Sequence, residues 1–279
     1  MADGVPDRLL IVNADDYGLT EGVSRAILAA ASDGIVTSTS VLAVAPAFAA
    51  TAGWLAATEV GVGAHLALVG EDPPLLSARE VPTLVDRSGA FSTSWRQLLP
   101  KAAAGRIDPD DVRRELTAQL GAIQGAGLKV THVDTHQHVH LWPSLGTTVL
   151  EVAAAAGIGA VRIIRSASRS PVGVTVARLG RRFERRATAL GFRWPASATG
   201  LDEAGALAGD RMVGAIDRLG RGGAASVELA THPGEAGDPD LDRYRWGYRW
   251  SDELEALRSP AARQAVERHG FRLGTYADL

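Results

Sequence analysis

The sequence predicts an α/β fold, a single-domain (β/α) barrel of TIM-barrel-like and distorted form that spans residues 1–279 with seven or eight mostly parallel strands. Three observations carry this. Short apolar runs of strand length alternate with helical patterns from one end of the chain to the other, and seven or eight such strands is the number that closes into a barrel. Polar clusters stand where strands end, at Asp15-Asp16, His65, 132–140 and 228–233, as they do at the carboxyl rim of barrel enzymes. The first strand runs into Asp15-Asp16-Tyr17-Gly18 rather than into the glycine-rich loop of an open dinucleotide-binding sheet.

Residues 9–14 are apolar except for Asn13, which is how a strand buried on both faces reads. Thr20 stands as the N-cap of a helix over 21–32, where Val23, Ile27 and Leu28 make one apolar stripe and Gly34 ends it. The alternation continues with a strand at 38–44, a helix at 47–57 and a strand at 60–66. After an irregular stretch rich in Pro and Gly, to about residue 94, come a helix at 109–124, a strand at 129–134, a helix at 144–156, a strand at 160–164 and an Arg-rich helix at 176–190. A helix at 202–219 leading to a strand at 225–230, and a last helix at 260–269 leading to 271–275, complete the pattern. The segment 237–250 reads as a surface loop, whose alternating Tyr244, Trp246, Tyr248 and Trp250 either flank a sugar or pack on the barrel rim.

Composition narrows the function. An apolar share of 46% with 22% charged residues suits a globular chain with a sizeable core and excludes a disordered one. A net charge of −3 offers no basic field for a phosphate backbone, so no nucleic-acid partner is expected. The basic run Arg178, Arg181, Arg182, Arg185 and Arg186 has helical spacing and reads as a solvated face. With no cysteine, a metal must be held by His and carboxylate. The N-terminus, Met1 to Arg8, carries Asp3 and Asp7 before a short apolar stretch, which reads as neither signal peptide nor membrane span and makes a cytoplasmic location the expectation.

The polar clusters supply the chemistry. In an extended segment His132, Asp134, His136, His138 and His140 would share one face about 6.6–7 Å apart, so one metal could take at most one or two of them. Asp15 and Asp16 would point to opposite sides if the strand continued, one a ligand and the other a base.

The segments Ile11-Val12-Asn13-Ala14-Asp15-Asp16-Tyr17-Gly18, Gly63-Ala64-His65-Leu66 and Thr131-His132-Val133-Asp134-Thr135-His136-Gln137-His138-Val139-His140 resemble the signature segments of the YdjC-like carbohydrate deacetylases, the family of the chitooligosaccharide deacetylase. The resemblance runs on through Glu228-Leu229-Ala230-Thr231-His232-Pro233 to Arg272-Leu273-Gly274-Thr275-Tyr276; Thr135 stands where the family often has Ser or Gly. It implies a hydrolase that removes an N-acetyl group from an amino sugar, with metal ligands at Asp16, His65 and His136. It also implies magnesium, although a shell of two His and one Asp suits zinc, manganese or cobalt as well.

On this reading the metal polarises the acetamide and activates water, Asp15 takes the water's proton and His232 protonates the leaving amine, with His138 and His140 as second choices. Arg162 either holds Asp15 ionised, binds substrate or makes a structural salt bridge, and Asp134 orients a ligand imidazole. The expected partner is an N-acetylated sugar, whether a chito-oligosaccharide, an N-acetylglucosaminyl lipid or a specialised glycoside, and a homodimer is the default assembly. The competing readings are a metal-dependent phosphoesterase or amidohydrolase, and a sugar- or metal-binding protein without catalysis.

Overall fold

The strand on which the fold is assembled is β1 (Arg8–Tyr17). In the computed structural model, which describes residues 8–279, every β1 residue from Leu9 onward is buried, so neither face of its apolar run meets water. The reading of Met1 to Arg8 as free of a leader or anchor lies, apart from Arg8, outside the described residues.

The other strands are β2 (Ser38–Val41), β3 (Gly61–Leu66), β4 (Val130–Thr135), β5 (Ser197–Thr199), β6 (Ser226–Thr231) and β7 (Phe271–Leu273). All pairings between them are parallel, in the order β4-β3-β2-β1-β6-β5, with β7 beside the first residues of β1. Beyond β4 the parallel bridges Val133–Val161 and Ala160–Arg193 carry the ladder round towards the chain that enters β5. The sheet therefore curls into the distorted (β/α) barrel that the alternating pattern predicts, with seven strands among the described residues.

Nine helices surround the strands among the described residues: α1 (Glu21–Ser32), α2 (Phe48–Ala56), α3 (Trp95–Ala103), α4 (Pro109–Gly125), α5 (Pro143–Ala155), α6 (Pro171–Ala189), α7 (Asp210–Arg221), α8 (Trp250–Arg258) and α9 (Pro260–Arg268). Four of them start on a proline, which has no N–H to lose at that position and a backbone angle already set for the helix. Thr20 caps α1 by accepting from the Val23 amide at 2.9 Å. Among the described residues no helix is long and apolar enough to cross a membrane.

Alternation along the strands sorts the side chains. Leu10, Val12 and Ala14 of β1 join the large apolar cluster beneath the helices, whereas Leu9 and Ile11 pack with Ala160 and Tyr276 inside the barrel. The same inward face continues through Asn13 to Asp15, so the barrel interior changes from apolar to polar towards its carboxyl rim. β3 makes room for this interior at Gly63, where a Cβ would lie 2.3 Å from Nε2 of His132.

Several boundaries differ from the sequence reading. Between the irregular stretch, read to about residue 94, and the helix at 109 stands α3, to which the sequence reading gave no element, and 237–250 leads into α8. Residues 160–164 make isolated bridges rather than a strand, and the short, polar β5 has no apolar run to reveal it. Instead of at 202, α7 begins at Asp210, because Gly205 and Gly209 sit at positive φ (69° and 49°) and hold the chain out of a helix. The Arg-rich helix α6 starts earlier than 176, at Pro171, with Ser170 as its cap.

Candidate active site

The site is built where β1 stops being regular. Pairing with β2 shifts register between Ala14 and Tyr17, and Asp16 adopts a left-handed φ of 68°. In an unbroken strand Asp16 would face away from Asp15; the bulge turns it back, so both carboxylates reach one polar centre and the expected opposite orientation does not hold. Asp15 keeps its place in the inward row, accepting from Asn13 Nδ2 at 2.7 Å.

Asp16 meets two imidazoles. Its Oδ1 lies 3.4 Å from His65 Nε2 and 3.4 Å from His136 Nδ1, and those two nitrogens are 3.4 Å apart. All three residues are buried, and Asp16 Oδ1 has no hydrogen-bond partner. Three donors at equal spacing around a common point are what a shared ion needs, and the residues fit one. Charge points the same way: Asp15, Asp16, Asp134 and Glu228 are buried together, and Arg162 is the one permanent cation among them.

Arg162, 1% exposed, enters from the segment bridged to β4, with its amide bonded to Val133 O at 3.1 Å. Its Nη1 and Nη2 grip both oxygens of Asp15 at 2.7 Å, Nη1 also meets Asp134 Oδ2, and Nε donates to Glu228 Oε1 at 2.8 Å. Burial alone would raise the Asp15 carboxyl, but this guanidinium outweighs it and holds it at about 2. Asp134 is likewise held well below the usual carboxylate range, against its burial, by Arg162 and His65. For Glu228 burial wins over Arg162 and the carboxyl is raised.

Asp134 Oδ1 lies 2.9 Å from His65 Nδ1, and Ser40 donates to Oδ2 at 3.1 Å. In the neutral ring, a proton on Nδ1 shared with Asp134 leaves Nε2, the atom facing Asp16, as the lone-pair nitrogen. Burial disfavours the His65 imidazolium, yet Asp134, Asp15 and Asp16 push the group up to about 9.

The histidine-rich segment does not form one extended face. β4 ends at Thr135 and the chain winds into a tight turn over His136–Leu141, with Gln137 and His138 both left-handed (φ 52° and 54°). Two such residues cost roughly 1–2 kcal/mol each, and the turn is held by Gln137, which accepts from the Trp95 amide at 3.0 Å and donates to Thr93 O at 3.1 Å. His132 therefore points into the barrel, stacked on Tyr276 at 3.7 Å and held neutral by burial, its pKa lowered to about 3. His136 reaches Asp16, and His138 lines the cleft formed by Asp15, Arg162, Glu228 and His232. His140 is turned behind β4 against Phe183 and lines a different cleft.

His232, at the end of β6, fixes its backbone by donating to Glu253 Oε2 at 2.7 Å. Its Nε2 stands 3.9 Å from Asp15 Oδ2, too far for a hydrogen bond, and Nδ1 has no partner. The aromatic run settles over this centre: Trp246 packs on His136 at 5.1 Å between ring centres and Tyr248 on His232 at 4.9 Å. The loop is tied down by Trp246 Nε1 to Glu71 at 3.0 Å and by Tyr244 and Arg243 to Asp72 at 2.9 and 2.7 Å. Ser40 was not singled out by sequence, and Asn13 and Glu228 were noticed, as the break in the first apolar run and as part of the 228–233 cluster, without being given a role; each is a polar residue in a buried strand, and that interruption of the apolar pattern was the available signal.

A family model described as YdjC-like protein matches residues 9–268. A carbohydrate deacetylase from Geobacillus stearothermophilus is 32% identical over 98% of both chains. A chitooligosaccharide deacetylase from Klebsiella pneumoniae (strain 342) is also 32% identical, over 98% of this chain and all of that one. Among solved structures, a candidate cellobiose-phosphate cleavage protein from Enterococcus faecalis V583 superposes with a TM-score of 0.80 at 26% identity, covering 98% of each chain.

Proposed function

The chain belongs to the YdjC-like protein family, and from that premise we propose that it is a metal-dependent carbohydrate deacetylase, hydrolysing the N-acetyl group of an amino sugar to release acetate. The observation that carries this is the triangle of Asp16 Oδ1, His65 Nε2 and His136 Nδ1 set beside the ionised Asp15 and His232 at one barrel rim.

Asp16, His65 and His136 hold one divalent cation. By donor chemistry, two imidazoles and one carboxylate would suit zinc, cobalt or manganese as well as the magnesium implied by family resemblance. When bound, the ion supplies a Lewis acid for the acetamide carbonyl and lowers the pKa of water.

Asp15 takes the water's proton. Oδ1 is occupied by Arg162 and Asn13 and Oδ2 by Arg162 once, so one acceptor position remains, on the oxygen that faces His232. A carboxyl held at about 2 is a base by position rather than by strength, and it gives its proton up readily. His232, across a 3.9 Å gap, delivers a proton to the departing amine. Asp134 orients His65, Arg162 keeps Asp15 and Asp134 ionised, and Trp246 and Tyr248 offer apolar faces to the sugar ring.

Two expected results test the metal assignment. Loading the metal-free protein at pH 7 should release about one proton per ion, because His65, raised to about 9, must lose its proton to become a ligand. Affinity should accordingly rise with pH and level off near 9. Calorimetry in buffers of different ionisation enthalpy reads this, and an absence of proton release removes His65 from the shell. In Asp134→Asn, metal affinity should fall about 10–100-fold, since the imidazole loses its charged partner. An unchanged affinity in chelator competition would confine Asp134 to the Arg162 network.

The activity itself is tested by acetate release from N-acetylated mono-, oligo- and lipid-linked sugars, using metal-free protein restored separately with zinc, cobalt, manganese and magnesium. Release of phosphate from phosphorylated sugars, with no acetate from any substrate, would replace this reading with a phosphoesterase.

A further inference from the structure

A second cleft, of about 410 Å³, opens on the outside of the barrel between α5, α6 and the turn that follows β4. Its walls are His140, Thr147, Phe183 and the arginines Arg182, Arg185 and Arg186. Arg182 and Arg186, four residues apart, are neighbours on one face of α6, where like charges repel, and Arg185 lines the same cleft. None of them makes an ion pair among the described residues, and Glu184, the single acid of this helix, is occupied by Arg165. Three neighbouring exposed cations without a counter-charge from the protein are solvated, as the sequence pattern suggests, and are open to an anion that enters the cleft.

His140 adds an independent sign. It is fully buried, and its Nε2 has no hydrogen-bond partner. Thr135 Oγ1 accepts from the His140 amide at 3.1 Å and lies 2.7 Å from its Nδ1, so the one hydroxyl proton is free to be donated to Nδ1. Burial keeps the imidazole neutral, and in the tautomer in which Thr135 donates to Nδ1 the ring's own proton is on Nε2. A buried N–H without an acceptor is costly, and this one belongs to a residue on the wall of the arginine-lined cleft.

We propose that this cleft is a binding site for a phosphate-type dianion, inorganic phosphate or a phosphomonoester, held by Arg182, Arg185 and Arg186 with His140 Nε2–H as the neutral donor. The site is separate from the metal centre and does not depend on the deacetylase reading. His140 also belongs to the turn that begins with His136, so an occupied cleft braces the segment carrying a candidate metal ligand.

Calorimetric titration with inorganic phosphate tests it, on the metal-loaded protein and on Asp16→Ala. Millimolar or tighter binding is expected in both, and at least about a ten-fold loss in Arg182→Ala/Arg186→Ala, whose exposed positions leave the fold intact. His140→Phe should weaken binding and His140→Gln, which keeps an N–H, should restore part of it. Binding that vanishes in Asp16→Ala would place the anion at the metal centre and overturn the proposal. So would equal affinity in the double arginine variant, or no binding at tens of millimolar. Sedimentation with vesicles of phosphatidic acid, a phosphomonoester lipid, in phosphatidylcholine tells the sources apart: pelleting that the double arginine variant loses supports the site with a lipid headgroup as its ligand, and phosphate binding without pelleting supports it with a free phosphate.

Discussion

Asp15→Asn should keep its metal and lose about 10²–10⁴ in kcat, the usual contribution of a positioned base. Metal retention is expected because Asp15 is outside the 3.4 Å triangle, its oxygens facing Arg162, Asn13 and His232. The fold should survive as well. Arg162 keeps Asp134 and Glu228 when Asp15 is neutralised, so no buried cation is stranded, and the loss is on the order of 1–3 kcal/mol rather than the larger penalty of an orphaned charge. The pH dependence follows from the sign of the shift. Asp15 sits at about 2 in the folded chain and near 3.9 in the unfolded one, so its ionised form stabilises the fold above about pH 4, and that contribution disappears as pH falls through about 2. Wild type and variant should therefore differ by a constant unfolding free energy between about pH 5 and 8 and converge in acid. A near-normal kcat in Asp15→Asn with full metal content would exclude Asp15 as the base.

What the sequence disclosed and what it concealed follow from the range of the interactions involved. β1 was readable because a strand covered on both faces must be apolar throughout, and α1 because Thr20 and a 3.6-residue stripe are local signals. The three triangle residues were reached by family resemblance, and the structure brings them within 4.8 Å of one another. The bulge at Asp16 was hidden, since it depends on pairing with β2, a partner more than twenty residues away. The left-handed pair Gln137 and His138 was hidden too, because neither residue type demands that conformation and the contacts that hold it come from Trp95 and Thr93. Those two local irregularities replace a row of five residues by a centre, a cleft wall and a buried outward histidine. Arg162 was visible as a residue but not as a hub, for its three carboxylates come from β1, β4 and β6.

His232→Ala should retain its metal and lose amide turnover by about 10²–10⁴, while a substrate with a good leaving group suffers far less. The ring stands 3.9 Å from Asp15 and outside the Asp16, His65 and His136 triangle, so its removal leaves the ion's donors in place. Its backbone bond to Glu253 does not involve the side chain and survives the substitution. The ring acts after water has attacked, when the amine must depart, and an amine expelled without its proton is a very poor leaving group. An activated phenyl ester, if the site accepts one, departs as a stabilised phenolate and needs little help. Water activation is common to both substrates, so Asp15→Asn should slow ester and amide alike, whereas His232→Ala should separate them. Tyr248, packed against the ring, supplies the control: Tyr248→Leu should move KM for both substrates together, because an aromatic face binds sugar without regard to the leaving group. Equal losses for ester and amide in His232→Ala would assign the ring to substrate positioning, and would pass the proton-donor role to His138, which lines the same cleft beside Asp15 and Arg162.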